Sequence, residues 1–586
     1  MHRLRHLTIL AASWLAAATA AAQGVDIEIV GVDGALRDNV VAFLSLKRYA
    51  NSRDLDQDRV DRLALRAVRE ATDALKPFGY YEARAETRVT ALDKGWKAVV
   101  TVTPGAPVLL EDAQVEIIGP GRDEEFLREV IDGSPLRVGE QLSHADYDRL
   151  KSDLHRVAAS RGYLDASWPR AELRVDVPSR RATALLTLDT GERYRFGETT
   201  IEQDFLEPAL VKRYLRYKPG DWYDATQLLR TQFALDDSDY FSVVEVLPEQ
   251  RDRTAKTMPV HISAERNKRY RYKIGAGYAT DTEWRLVLGW TNRQVNRHGH
   301  RLFAEAKYSN PEKTIRLNYV IPWRDPALEK LALSLTGGQI LRGDVETRGV
   351  SFVPSLTQMR GRWQRVLFTN VDYTRDKIVG TQESGQTSIS ESRNLLLVPG
   401  ISYALLPPGF VNVDAVGRGL YAELLGSAST LGSDSDFLRL SVRDERRFEL
   451  GGPWHLVVRG ELGTSAVGDF QQLPSQYRFF AGGDRSVRGY SYNELSPVDE
   501  LGNKVGGRHL LVGSIEIEHD LPKNFGVAAF VDAGNAFDSF GDPLQYAVGV
   551  GIRYRLPFLM VGFDVAQSVS ESGRSPHLHM NFTPIL

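Results

Sequence analysis

The sequence contains no cysteine, which excludes disulfide bridges, cysteine-ligated zinc sites and thiol catalysis. It also lacks an excess of charge of one sign. Lys and Arg number 73 against 76 Asp and Glu, so composition gives no reason to expect nucleic acid as a partner. The mean hydropathy of −0.29 is typical of a soluble protein.

Motifs of the common enzyme classes are missing as well. Gly275 and Gly277 in "IGAGYAT" have no third glycine and no following helix, so they do not form a dinucleotide-binding fingerprint. No Gly-x-Ser-x-Gly or His-Glu-x-x-His occurs. His577 and His579 share one face of a predicted strand, but they have no third ligand, and we interpret them as ordinary strand histidines. The sequence therefore predicts no enzyme, no metal site and no cofactor.

Long apolar runs are confined to the amino terminus. "MHRLRHLTILAASWLAAATAAAQG" has Arg3 and Arg5, then an apolar stretch, then small residues up to Ala22. This order predicts a secretory signal peptide over residues 1–22. No other run of about 18 uncharged apolar residues occurs, which argues against a second membrane helix. The mature chain is expected to be either soluble outside the cytoplasm or a barrel that crosses a membrane with strands.

Residues 23–266 repeat one pattern three times. An amphipathic helix is followed by Gly79-Tyr80, Gly162-Tyr163 or Asp239-Tyr240 and then by a strand, at intervals of 83 and 77 residues. We interpret these pairs as helix caps with a core tyrosine rather than as catalytic residues. Repeats of this length are small tandem domains, and their β-α-α-β-β order predicts a sheet with helices on one face. The expected domains are 23–106, 107–192 and 193–266.

Strict alternation replaces helical periodicity in residues 267–586. In "KTIRLNYVI", Ile315, Leu317 and Tyr319 face one way, and Arg316 and Asn318 face the other. A soluble sandwich also alternates, so this pattern alone does not choose between the two folds. The segment contains about 16 candidate strands, mostly of about 9 to 14 residues, and this even number and length favour a transmembrane barrel. The predicted fold is thus α+β tandem modules followed by an all-β, 16-stranded barrel.

The stretch "GGDRSVRGY" lies in a predicted loop of about 36 residues, too long for a hairpin turn. Further along, Phe530, Asp532 and Gly534 share the strand face that would line the barrel lumen. A loop folded inward would bring Arg488 to Asp532 as a bidentate ion pair. Gly489 would permit the turn and Tyr490 would pack against the wall. The residues alone leave open a solvated Arg488 on an exposed loop.

Two signatures here resemble those of the Omp85 superfamily. Val487-Arg488-Gly489-Tyr490 is similar to its sixth-loop motif, and Phe530-x-Asp532-x-Gly534 is similar to its second motif, near the end of the barrel. The tandem modules resemble the POTRA domains of that superfamily. Three modules before the barrel resemble the TamA family within it. The chain departs from that family at its end, because "HLHMNFTPIL" has Pro584 without the usual preceding glycine.

The resemblance implies a location and partners. The barrel would lie in the outer membrane, among its lipids, with the modules in the periplasm. The protein would insert or secrete unfolded outer-membrane or autotransporter clients, and it would dock an inner-membrane-anchored TamB-like partner through its first module. Two alternatives stay open: a passive channel or lipid conduit, and a transporter of the two-partner-secretion type.

The closing strands of the predicted barrel carry residues that weaken a strand. The first strand, about 270–279, contains Gly275 and Gly277. The last, about Ser575 to Phe582, is expected to carry Pro576 and Pro584, and a proline donates no ladder hydrogen bond. We therefore expect a short, weak seam at which a client strand adds by β-augmentation.

Overall fold

The computed structural model describes residues 24–50, 55–280, 283–381, 387–406, 419–557 and 559–584, so the predicted signal peptide over 1–22 lies outside it. The chain divides into two compact units. One contains residues up to 199 together with 217–227 and 248–260. The other contains residues 200–216, 228–247 and everything from 261 onward.

Three small sheets precede the barrel, in the orders β1-β3-β2, β4-β6-β5 and β7-β9-β8. In each sheet, the last strand of the module lies in the centre and the first two strands lie at the edges. The elements of the first are β1 (Val25–Val30), α1 (Gly34–Phe43), α2 (Ser45–Tyr49), α3 (Gln57–Asp73), β2 (Arg84–Ala91) and β3 (Trp96–Thr103). Those of the second are β4 (Leu109–Ile118), α4 (Glu125–Asp132), α5 (His144–Ser160), β5 (Ser167–Asp176) and β6 (Arg181–Asp189). Those of the third are β7 (Arg195–Glu202), α6 (Pro208–Lys212), α7 (Ala225–Asp236), β8 (Phe241–Pro248) and β9 (Thr257–Arg266).

The sequence explains the helices of these modules. In α3 the side chain of Asp56 accepts a hydrogen bond from the Arg59 N–H and caps the first turn. Val60, Leu63 and Ala67 then recur on one face and pack into the core of the first module. The helices of the described residues are all too short or too polar to cross a membrane.

The Gly-Tyr pairs cap helices, as the sequence predicted. Gly79 and Gly162 have φ of +83° and +99°, a conformation that favours glycine. Tyr163 is buried in the core of the second module. Each glycine also joins its module to the next, because the Gly79 carbonyl accepts from the Val108 N–H at 2.9 Å and the Gly162 carbonyl accepts from the Tyr194 N–H at 2.8 Å.

The third copy uses Asp239 in place of glycine, also at positive φ (+65°). The carbonyl of the following Tyr240 accepts from the Asn267 N–H at 2.8 Å, just before the barrel begins. The Tyr240 hydroxyl donates to the carbonyl of Gly299 in a turn of the barrel. The same kind of joint that links the modules therefore also fixes the chain at the entrance to the barrel.

The barrel is one 16-stranded antiparallel sheet in sequential order, which confirms the predicted strand number. Its strands are β10 (Tyr270–Ala279), β11 (Glu283–Asn292), β12 (Arg301–Tyr308), β13 (Glu312–Pro322), β14 (Glu329–Arg342), β15 (Val345–Arg360), β16 (Trp363–Thr381), β17 (Thr387–Leu405), β18 (Tyr421–Ser427), β19 (Phe437–Gly451), β20 (Trp454–Val467), β21 (His509–Asp520), β22 (Phe525–Phe537), β23 (Gln545–Leu556), β24 (Leu559–Ser568) and β25 (His577–Pro584).

Alternate residues of these strands face opposite sides of the wall. Ile315 and Val531 are 63% and 52% exposed on the outer, apolar face, whereas Asp532 is fully buried on the lumen side. Strand lengths vary more than the sequence predicted, and β16 and β17 have 19 residues each. About 9–11 residues suffice for a strand to cross a bilayer, so the strands of this hairpin are longer than a membrane-spanning strand needs to be.

Candidate functional site in the barrel lumen and at the edges of the sheet

The segment between β20 and β21 folds into the lumen and builds a small apolar core there. Val487 and Tyr490 are fully buried and pack with Phe479 and Leu495 of the same segment. They also pack against wall residues, among them Val512 of β21. We call residues 468–508 the lumen loop. Its burial is what brings Arg488 and Gly489 to the wall.

Arg488 is bound to Asp532 by three hydrogen bonds. Its Nε lies 2.7 Å from Asp532 Oδ2 and its Nη2 lies 2.9 Å from Oδ1, the two-pronged geometry of a guanidinium on a carboxylate. Its backbone N–H donates to the same Oδ2 at 3.0 Å. Arg488 is 3% exposed and Asp532 is fully buried. The inward position, rather than the solvated one, is therefore the one in this structure.

Further lumen-facing residues complete the charge balance around Arg488. Its Nη1 lies 2.6 Å from Glu516 of β21 and 3.3 Å from Asp564 of β24. Arg553 of β23 bonds to both of these carboxylates. Buried ions are stable only when paired and hydrogen-bonded, and this cluster meets that condition. Alternation placed Glu516 and Arg553 on the polar face of their strands, but it gave no sign that they meet Arg488.

The second predicted motif, Phe530-x-Asp532-x-Gly534, also contacts the guanidinium of Arg488 through its aromatic ring. The carbon at the centre of the Arg488 guanidinium lies 3.2 Å from the centre of the Phe530 ring, a cation–π contact. Ser514 of β21 donates to Asp532 at 2.6 Å. At Gly534, a Cβ would come within 2.6 Å of the Leu511 carbonyl oxygen, so the neighbouring strand leaves no room for a side chain.

Glycines allow the lumen loop to approach the wall. Gly489 has φ +92°, and a Cβ there would lie 3.3 Å from Ala547 Cβ and 3.3 Å from the Ser568 nitrogen. The Phe530 ring lies over Gly549 of β23, where a Cβ would come within 2.2 Å of the ring. Both contacts require a backbone without a side chain.

Two further contacts join the lumen loop to the last two strands. The Tyr490 hydroxyl shares a 2.6 Å hydrogen bond with Ser568 Oγ of β24. The Gly489 N–H donates to His579 Nε2 of β25 at 2.8 Å. The sequence set His579 aside as an ordinary strand histidine, and only its position in the fold reveals the contact with Gly489. Within the described ranges, no group of three or more His, Asp or Glu side chains, including any with His579, is arranged to bind a metal ion.

The two ends of the sheet, β10 and β25, lack a backbone ladder between their described residues. They meet where the Met580 N–H donates to Thr280 Oγ1 at 3.2 Å. Gly275 and Gly277 lie in β10, at positions where an added Cβ would meet at most one atom within 4 Å. Phe582 pairs with Val561 on the other side of β25.

Pro576 does not lie where the sequence placed it. β25 begins at His577, one residue later, and Pro576 is exposed in the preceding turn. Pro576, which has no N–H to donate to the ladder, thus lies outside the paired strand. Pro584 does lie in β25, at the last paired position, opposite Leu559.

Fold and site together define a class of protein: a β-barrel of 16 strands preceded by small α/β modules, with a loop bound inside its lumen. Two family models match the chain. The Omp85 superfamily domain matches residues 416–583, and the POTRA domain described as TamA domain 1 matches residues 26–104. The carboxy-terminal part of the chain thus carries an Omp85 superfamily domain, and the first module is similar to the first POTRA domain of TamA. In this family the modules are periplasmic.

Sequence identity to the following three similar proteins is low. The outer membrane protein assembly factor BamA of Nitratidesulfovibrio vulgaris (strain Hildenborough) is 23% identical over 408 residues, which are 63% of this chain and 48% of that protein. The chain thus spans about half the length of this relative. The structure of BamA from Haemophilus ducreyi lacking POTRA domains 1–3 is 14% identical and covers 81% of this chain and all of that one, with a TM-score of 0.64. CdiB from Acinetobacter baumannii has 13% identity, covers 81% and 89% of the two chains, and has a TM-score of 0.45.

Proposed function

We propose that this protein is an outer-membrane assembly factor that inserts or secretes β-barrel or autotransporter clients by strand addition between β10 and β25. The observation that carries the proposal is the missing ladder between these two strands in the described residues. The Omp85 superfamily domain and the similarity to BamA, an outer membrane protein assembly factor, support it.

The physical basis is the cost of an unpaired strand edge. Backbone N–H and C=O groups that meet hydrocarbon without partners cost several kcal/mol each, roughly, so an open edge in a membrane favours any strand that pairs with it. A client strand added at β10 or β25 would satisfy these groups, and its apolar face would enter lipid. The reaction needs hydrogen-bond exchange and burial, and no covalent step.

The lumen loop would support this step by fixing one side of the opening. In this proposal the ion pair of Arg488 and Asp532 holds the lumen loop on the β22–β25 side of the barrel. Gly489 and Tyr490 extend this attachment to β25 and β24 through their hydrogen bonds. Gly275 and Gly277 leave two positions on the lumen face of β10 without side chains, which weakens that strand and lets it separate at smaller cost. Val487 and Phe530 hold the Arg488 backbone and guanidinium in place.

A partner in the periplasm forms the finer part of the proposal. The match of residues 26–104 to the first TamA domain supports docking of a TamB-like, inner-membrane-anchored protein on the first module. The proposed module boundaries are 23–106, 107–192 and 193–266, with the barrel from 267. Pull-down of the isolated partner domain by the intact protein, compared with a variant lacking residues 23–106, would test this docking.

The seam provides the direct test of function. Thr280→Cys with Met580→Cys introduces a disulfide across the two ends of the sheet, and the absence of native cysteine makes the bond unambiguous. We expect oxidation to stop insertion of a purified barrel client into proteoliposomes and reduction to restore it. If the protein is instead a passive channel, the oxidised variant should keep its conductance. Unchanged client insertion in the oxidised variant would overturn the proposal.

A matched control uses the same residue of β25. Phe563→Cys with Met580→Cys joins β24 to β25 at positions that are already directly opposite in the ladder. This disulfide leaves the seam free, so client insertion should continue under oxidising conditions. Loss of insertion in both pairs would show that rigidity of β25, and not closure of the seam, is responsible.

A further inference from the structure

His579 is the point at which the lumen loop touches the seam strand. Its side chain is fully buried on the lumen face of β25, while its neighbour Leu578 is 55% exposed on the outer face. Along its inner edge, β25 is paired with β24 over eight positions. Along its outer edge it meets Thr280 through Met580. From the lumen, it is held at His579.

The hydrogen bonds of the ring assign its protons. Nε2 faces the Gly489 N–H, which is a donor, so Nε2 must be the acceptor. The proton of the neutral ring then lies on Nδ1, which donates to Asp484 Oδ1 at 2.6 Å. Asp484 and Gly489 both belong to the lumen loop. One side chain of β25 is therefore hydrogen-bonded to the lumen loop at two residues, Asp484 and Gly489.

The bond at Gly489 adjoins the bond at Arg488. Two consecutive backbone N–H groups of the lumen loop donate to the wall, that of Arg488 to Asp532 and that of Gly489 to His579. Asp532 lies on β22 and His579 on β25, with two strands between them. Two successive peptide groups of the loop thus bridge β22, in the middle of the braced wall, and β25, its last strand.

The charges around His579 come from three elements. Asp484 faces the ring from the lumen loop, and Asp564, its partner across the ladder, faces it from β24. His577 is on the same strand, with the ring centres 5.0 Å apart. Asp564 is itself bound to Arg553 and Arg488.

We propose that His579 is a positioning residue that couples the lumen loop to the seam: when the loop holds Gly489 and Asp484 against the wall, β25 is held beside β10, and when the loop withdraws, β25 is released. This coupling involves only the lumen loop and β25. Its use in admitting a client rests on the proposed function.

The rate of disulfide formation between Thr280→Cys and Met580→Cys measures how closely β25 stays at β10. We expect His579→Ala to lower this rate about two- to tenfold, the change that loss of one or two hydrogen bonds produces in an equilibrium. His579→Gln has an amide that accepts from Gly489 and donates to Asp484, so it should restore most of the rate. His577→Ala, two residues away on the same face, should leave it unchanged.

A double-mutant cycle separates coupling from a merely local loss of packing. If His579 acts only through the bound loop, Arg488→Ala detaches the loop and His579→Ala then adds nothing further. Effects that multiply in the double variant would overturn the proposal, as would an unchanged rate in His579→Ala or an equal fall in His577→Ala. Failure of His579→Gln to restore the rate would also overturn it.

A second reporter follows the loop. Val487 belongs to the loop and is fully buried, so the rate of alkylation of Val487→Cys measures withdrawal of the loop from the wall. His579→Ala should raise this rate, and unchanged alkylation would count against the coupling. Neither reporter uses client insertion. The coupling therefore fails or stands independently of the seam-lock experiment, which alone decides the proposed function.

Discussion

The two edges of the 16-stranded sheet are held in different ways. Near β25, the lumen loop binds the wall through Asp532 of β22, Ser568 of β24 and His579 of β25. At the other edge, β10 is joined to β11 by an ordinary ladder over ten positions, and its lumen face carries two glycines. One edge is braced from inside, and the other depends on its single neighbour.

This difference shows how a barrel can be stable and still open at one place. The buried ion cluster and the lumen loop stabilise the strands from β21 to β25 as a block. While the lumen loop is bound, opening of the seam needs movement of β10, with loss of the few contacts at the seam. The predictions below alter the braced edge first and the unbraced edge last.

The largest effect is expected at the centre of the brace. Arg488→Ala leaves Asp532, Glu516 and Asp564 without their shared cation in a buried site, which costs roughly 3–5 kcal/mol locally. We expect the loop to become accessible to protease and client assembly to fail, while heat-modifiable gel mobility shows that the barrel still forms. Asp532→Ala should behave in the same way.

Arg488→Lys provides the matched control for charge. Lysine keeps the positive charge but presents a single point donor in place of the planar fork. Protease protection of the loop and assembly should therefore be intermediate. Full protection and full assembly in Arg488→Ala, in Arg488→Lys and in Asp532→Ala would show that the ion cluster does not brace the wall.

A smaller effect is expected from one methyl group in the braced wall. In Gly549→Ala, the new Cβ would lie 2.2 Å from Phe530 Cζ and 2.6 Å from the Val565 carbonyl oxygen. Overpacking of this kind costs about 1–3 kcal/mol, and here it displaces the ring that lies against Arg488. A fall in the thermal unfolding midpoint in detergent, with faster proteolysis of the loop, would agree with this account.

The same substitution at the unbraced edge should have the smallest effect. Around Gly277 of β10, no atom lies within 4 Å of the position of a Cβ. Gly277→Ala should therefore raise the stability of the strand by about 0.5–1 kcal/mol and slightly slow opening of the seam, since glycine weakens a strand interior. Destabilisation as large as that of Gly549→Ala would remove the distinction between the two edges.

The sequence predicts much of this fold because the signals are periodic. Alternation gave the strand number and the inward direction of Asp532, and the recurring Gly-Tyr pairs gave the three modules. Strand lengths were less predictable, because the 19-residue β16 and β17 extend beyond the length that the membrane requires.

The site is less predictable because its partners are distant along the chain. Arg488 reaches Glu516, Asp532 and Asp564 only after the loop has folded inward, and no local pattern encodes that path. His579 shows the limit most clearly. Its position on the lumen face could be read from alternation, but its contact with Gly489, 90 residues earlier, depends on the order of strands around the barrel.

Hydrogen–deuterium exchange along the barrel strands tests the central claim most directly, since exchange reports local opening. In the detergent-solubilised protein, we expect the amides of β22 to β24 to be strongly protected and those of β10 to exchange many-fold faster, with β25 close to its braced neighbours. Equal protection of β10 and β23 would contradict the account.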